Sequence, residues 1–218
     1  MHLLDAWTSL SSADLARLLG IPVAVLLALL LPGRRVAGGA ALIVALACVR
    51  LTELAAPWPI RAGWVVLWAL VAWQAGGEGH ERESARPARR AGLEAGAVAL
   101  PLGLALLALL LAAVSRQTLE PLDARRASLG ALTLGAGLLH LMMRRHVRRA
   151  LVAFAAMGLG LELLTAAARA ADVTHQGTPA GAALAASAVA IVLARRIAGA
   201  RERYAHSPSI ADAHELVD

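Results

Sequence analysis

Several features that mark catalytic and metal sites are scarce or missing in this chain of 218 residues. It has one cysteine, Cys48, which excludes a disulfide framework and a cysteine-based metal site. It has no lysine, and all 21 basic residues are arginine. HExxH, a Walker loop, GxSxG and a histidine pair at haem-ligand spacing are all absent. The sequence therefore predicts no catalytic residues, no metal site and no bound cofactor.

What the chain does have is a strongly apolar composition. Hydrophobic residues make up 59% of it, against roughly 45–50% in a soluble domain, and the mean hydropathy is +0.64. In a soluble protein the net charge of +6 would suggest nucleic-acid binding. Here the arginines cluster between long apolar stretches, as they do in the cytoplasmic loops of membrane proteins. We therefore predict an all-α integral membrane protein with no nucleic-acid partner.

The apolar stretches divide the chain into seven candidate transmembrane helices. Each has roughly 16–24 residues, about the length that crosses a bilayer. Turn-forming sequences such as PGRR and APWP separate them. The third stretch is one of the two shortest, which leaves six spans as the alternative to seven. The predicted segments are approximately 14–32, 36–56, 61–76, 92–114, 128–143, 148–170 and 179–199.

The arginines predict the orientation, because basic residues concentrate in cytoplasmic loops. Most of them fall in alternate loops that would share one side of the membrane, and this places the N-terminus outside and the C-terminal tail in the cytoplasm. On the outer side, Trp58 and Trp64 flank a loop and are predicted to lie at the interface. Arginines near the cytoplasmic helix ends are predicted to anchor them at the anionic inner surface. These anchors are Arg144, Arg145, Arg148, Arg149, Arg195 and Arg196.

Charged residues at membrane depth are few, and each is a functional candidate because a charge in hydrocarbon is costly. Glu162 is the deepest, on the order of 20 Å along a roughly 30 Å path when counted from Arg148. Its carboxyl is predicted to be either a protonatable relay group or a hydrogen-bonded structural group. His140 is a second candidate for proton relay. Arg50 and Glu53, three residues apart, are predicted to form an ion pair on one helix face.

The final third of the chain resembles a known family. An apolar helix is followed by the basic turn Arg144-Arg145-His146, a helix with a mid-membrane glutamate, and a last helix ending in Ala194-Arg195-Arg196-Ile197. Over roughly residues 128–218 this order resembles subunit K of complex I. The total length and the seven segments are similar to the hydrogenase-4 component E family. That family belongs to the group 4 membrane-bound hydrogenases, which are relatives of complex I.

The resemblance implies a non-catalytic membrane subunit that scaffolds the membrane arm of a redox complex, with proton or ion translocation as an additional role. It implies antiporter-like and membrane-anchor subunits and a peripheral redox arm as partners, in a bacterial inner membrane. The family's acidic position falls near Ala155 or Gly158, so Glu162 would substitute for it from one helical turn beyond Gly158. The implied regions are 1–127, with about four spans, 128–199, the three-helix unit like subunit K, and 200–218, a cytoplasmic tail.

Two other interpretations stay open. A small-solute transporter or channel would need broken spans and a polar site at mid-membrane, for which Arg50, Glu53 and Glu162 are the candidates. A structural subunit of an unrelated respiratory or photosynthetic complex would need only close helix packing. Small residues at helical spacing, as in 130–137 and 182–190, favour such packing.

Overall fold

The computed structural model describes residues 5–8, 10–31, 34–76, 89–116, 119–143, 147–171 and 179–204, and all regular secondary structure in these ranges is helical. A four-residue helix, α1 (Asp5–Thr8), precedes seven long ones. Each long helix overlaps one of the seven predicted segments, and the all-α prediction is confirmed for these ranges. The long helices are α2 (Ser12–Leu30), α3 (Arg34–Val49), α4 (Trp58–Gly76), α5 (Arg89–Ser115), α6 (Pro121–Met143), α7 (Val147–Ala171) and α8 (Ala182–Tyr204).

Four of these helices are long and apolar enough to cross a membrane, judged by length and composition among the described residues. The apolar parts of α3 and α5 are shorter. The number of candidate spans found here is therefore smaller than the seven predicted, and the larger number stays a prediction. The four are Ser12–Leu30, Pro121–Met143, Ala150–Arg169 and Ala182–Ala200.

Two helix boundaries differ from the sequence prediction by seven residues each. The second segment was predicted to run to residue 56, but α3 ends at Val49 and the chain forms a 3-10 turn at Thr52–Leu54. This turn buries Glu53 and Leu54 at the end of the bundle. The fifth segment was predicted to begin at 128, but α6 begins at Pro121. Proline is favourable in the first turn of a helix, where its missing N–H leaves no bond unmade.

Helices α6 and α7 pack antiparallel at the centre of the bundle, with glycines between them. A Cβ added to Gly160 on α7 would lie 2.8 Å from the carbonyl oxygen of Gly130 and 2.5 Å from the backbone nitrogen of Leu134, both on α6. A Cβ on Gly137 would lie 2.9 Å from the backbone nitrogen of Met157. The two backbones can therefore approach this closely only because these positions lack side chains. Helix α7 also contacts α4 and α8, and α6 contacts α2 and α5.

Helix α4 places two tryptophans in the core. Trp64 and Trp68, one turn apart, are both fully buried, and Trp64 lies against the α7 backbone at Gly158. The prediction that Trp64 lies at the membrane interface is therefore wrong, because its position shares the inward face of α4 with Trp68 and Val71. Trp58 is exposed.

Candidate functional site

The buried carboxylates lie at one end of the helical bundle. At this end α4, α6 and α8 begin and α7 finishes, and we call it the Glu162 end. Contacts across the helices define it: Glu162 reaches Gly181 just before α8, Gly181 lies beside Ile60 in the first turn of α4, and Arg125 in the second turn of α6 reaches Glu53.

Glu162 is held by two neighbours and is 1% exposed. Arg169 donates from Nη2 to Oε1 at 3.2 Å, and the backbone N–H of Gly181 donates to both carboxylate oxygens at 3.2 Å. Arg169 lies seven residues further along α7, which is two turns and therefore the same face. The carboxylate thus joins the end of α7 to the start of α8 through charge-assisted hydrogen bonds. Glu162, Arg169 and Gly181 form what we call the Glu162 cluster.

Gly181 is suited to its place in this cluster by its backbone. Its φ is +91°, a conformation that glycine adopts without steric cost. A Cβ here would also lie 3.1 Å from Cδ1 of Ile60. Gly181 lies next to the N-terminus of α8, where the helix dipole favours a negative charge. The sequence signal for this contact is weak, since the donor is a backbone group.

Glu53 has a different partner from the one predicted. Its Oε1 lies 3.7 Å from Nε of Arg125 on α6, and Thr52 donates from its hydroxyl to Oε2 at 3.3 Å. Arg50 is exposed. The predicted pair with Arg50 assumed one continuous helix, but α3 ends at Val49, so the three-residue spacing no longer places the two side chains on one face.

Other arginines at the Glu162 end are also paired. Asp123 and Arg126 on α6 approach to 2.6 Å, and Asp14 and Arg17 on α2 approach to 3.4 Å. The sequence alone predicted no role for Arg125, Arg126 or Gly181. Spacing in the sequence could have indicated some of these contacts in advance, namely the seven residues between Glu162 and Arg169 and the three residues within each of the other two pairs.

The two relay candidates are not brought together. His140 is fully buried near the other end of α6, and the α6–α7 pairing places it about 15 Å from Glu162 along the bundle axis. Two hydroxyl groups in the interior donate within their own helices: Thr133 donates to the carbonyl of Leu129 at 2.8 Å and Ser187 to that of Ala183 at 2.7 Å. These bonds fix the hydroxyls locally rather than connecting Glu162 to His140.

The structure describes only some of the arginines predicted to be cytoplasmic anchors. Arg195 and Arg196 are exposed on α8. Arg144 and Arg145 lie outside the described residues, as do the tail beyond Tyr204 and the loop 77–88; for Arg148 and Arg149 only the helical backbone is described.

No group of three or more histidine, cysteine, aspartate or glutamate residues that could hold a metal ion occurs among the described residues. Comparisons of the chain with protein-family models, with curated proteins and with solved structures gave no match. The candidate site therefore consists of ion pairs that connect helices at one end of the bundle.

Proposed function

We propose that this chain is a non-catalytic, integral membrane subunit of a complex-I-like or group 4 hydrogenase-like redox assembly, where it scaffolds the membrane arm. It lies in a bacterial inner membrane with seven spans, its N-terminus outside and its C-terminus in the cytoplasm. Antiporter-like and membrane-anchor subunits pack against it, and the redox cofactors belong to a peripheral arm. The resemblance of residues 128–218 to subunit K of complex I supports the choice of assembly.

The scaffold role is supported by the groups that the two buried carboxylates bind. Glu162 is bound to Arg169 and to the start of α8, and Glu53 is paired with Arg125 on another helix. A transporter requires polar groups that a solute can reach at mid-membrane. Here both carboxylates are almost fully buried and hold helices to one another at one end, which favours a packing subunit.

The scaffold role and the proton-relay role predict different effects of a substitution at Glu162. In the scaffold role, Glu162→Gln weakens the connection between α7 and α8, and we expect less assembled complex in the membrane with unchanged proton pumping per assembled complex. Quantitative blotting of the complex and a pH-gradient assay in membrane vesicles would measure the two quantities. Loss of pumping at normal assembly would instead make Glu162 a relay group.

Co-purification tests the assembly itself. The tagged full chain is extracted from native membranes in mild detergent, and the proteins that accompany it are identified by mass spectrometry. We expect antiporter-like and iron–sulfur subunits in a fixed ratio to this chain. Recovery of the chain only as a homo-oligomer would reject the assembly and favour the transporter.

Cysteine labelling tests the orientation. With Cys48 replaced by alanine, a membrane-impermeant maleimide applied to intact cells should label Glu120→Cys, at an exposed site in the predicted outer loop before α6. It should label Ser207→Cys, in the predicted cytoplasmic tail, only after the cells are permeabilised. The opposite result would invert the topology.

A further inference from the structure

Arg61 on α4 forms no ion pair with a carboxylate among the described residues. At the Glu162 end, the partly buried Arg17, Arg125, Arg126 and Arg169 each form an ion pair. Arg61 is also partly buried, but no ion pair joins it to any residue of the described chain. Its Nε is buried and has no hydrogen-bond partner there. Partial burial of a guanidinium is unfavourable unless an anion compensates.

An apolar face of α4 begins at Trp58, on the side of this residue away from Arg61, and has a tryptophan at each end. Trp58 is 74% exposed and Trp73 is 67% exposed, and Val66 and Leu70 are exposed between them. The two tryptophans are separated by about 22 Å along the helix. Exposed indole rings at both ends of an apolar face are typical of a helix that meets lipid, with each ring at headgroup level.

Trp58 and Arg61 are three residues apart and so are neighbours on the surface of α4. A guanidinium donates two parallel hydrogen bonds to a phosphate, and an exposed indole N–H can donate a third. Charge complementarity selects the lipid class, since the unmatched positive charge of Arg61 favours a headgroup with net negative charge.

We propose that Arg61 and Trp58 bind the headgroup of an anionic phospholipid in the leaflet at the Glu162 end. An acyl chain of this lipid lies along the face formed by Val66, Leu70 and Trp73. This site makes no use of the proposed redox assembly, so the two proposals can fail separately.

Fluorescence quenching by brominated lipids tests the site. The full chain, with any subunits that accompany it, is reconstituted into phosphatidylcholine nanodiscs that contain either brominated phosphatidylglycerol or brominated phosphatidylcholine. The difference between the unmodified protein and Trp58→Phe isolates the signal of Trp58. We expect half-maximal quenching of Trp58 at a several-fold lower content of brominated phosphatidylglycerol than of brominated phosphatidylcholine. Arg61→Gln should reduce this preference for the anionic lipid about fivefold.

Arg50→Gln is the matched control, because it removes the same charge from an exposed arginine at the same end of the bundle. It should keep the preference. Arg61→Lys keeps the charge but not the paired donors, so it should keep part of the preference for the anionic lipid. This variant also provides a test if the glutamine variant misfolds. An unchanged preference in Arg61→Gln, or a Trp58 that neither lipid quenches because a partner subunit covers it, would overturn the proposal.

Discussion

Replacing Gly160 by alanine tests how closely α6 and α7 approach. The new Cβ would lie 2.5 Å from the backbone nitrogen of Leu134 and 2.8 Å from both its Cα and the carbonyl oxygen of Gly130. Unstrained carbon contacts are about 3.5–4.0 Å long, so the helices would have to separate by roughly 1 Å at this point. The contacted atoms belong to the backbone, and no side-chain rotation can relieve the clash.

The magnitude follows from two opposed terms. Overpacking a close contact costs about 1–3 kcal/mol, and the upper part of that range applies because the backbone must move. Alanine is favoured over glycine within a helix by about 1 kcal/mol, which offsets part of the cost. We expect a net loss of about 2 kcal/mol in the free energy of unfolding, or a fall in Tm of about 4–8 °C for a chain of this size.

The chain contains its own reporter for this measurement. Cys48 is the single cysteine and is fully buried, so a fluorogenic maleimide reacts with it only as the protein unfolds. Thermal ramps of the purified protein in mild detergent then give Tm for each variant. Gly20→Ala is the matched control, because a Cβ at that position meets no atom within 4 Å, and its Tm should not fall. If Gly160→Ala and Gly20→Ala behave alike, the proposed close contact between α6 and α7 is refuted.

Two further predictions concern the ion pairs and use the same thermal assay. Glu162→Gln and Arg169→Gln should each destabilise the protein by about 1–3 kcal/mol, because each removes one side of the charge-assisted hydrogen bond made by the buried Glu162 carboxylate. A double-mutant cycle should give a coupling of about 1 kcal/mol, and additive losses would contradict the contact. Glu53→Gln and Arg125→Gln should each cost about 1 kcal/mol, whereas Arg50→Gln should stay within about 0.5 kcal/mol, as exposed substitutions usually do. A larger loss for Arg50→Gln than for Arg125→Gln would restore the original pairing.

Helix positions were predictable from the sequence because each long helix carries a continuous apolar stretch. Helix ends were predictable only where turn-forming residues coincide with the end of that stretch, as at PGRR. The first turns of α6 contain Asp123, Arg125 and Arg126, which look like loop residues until Asp123 pairs with Arg126 and Arg125 with Glu53. A hydropathy pattern carries no information about such ion pairs, so the predicted start of α6 lies too far along the chain.

The acidic residues of the candidate site could be predicted from the sequence, but their partners could not. The burial of Glu162 followed from its depth in an apolar segment. Its contact with Gly181 depends on a backbone N–H, which has no signature in the sequence, and on how α7 and α8 align. The partner of Glu53 comes from a distant helix, and only the packing of the bundle identifies it as Arg125.

The Glu162 cluster has a consequence for how the α7–α8 connection can vary. Because Glu162 bonds directly to the backbone of Gly181, a contact between α7 and the residue before α8 fixes the starting height of α8. Homologous chains could therefore lengthen or shorten the stretch 172–178 without sliding α8 along α7.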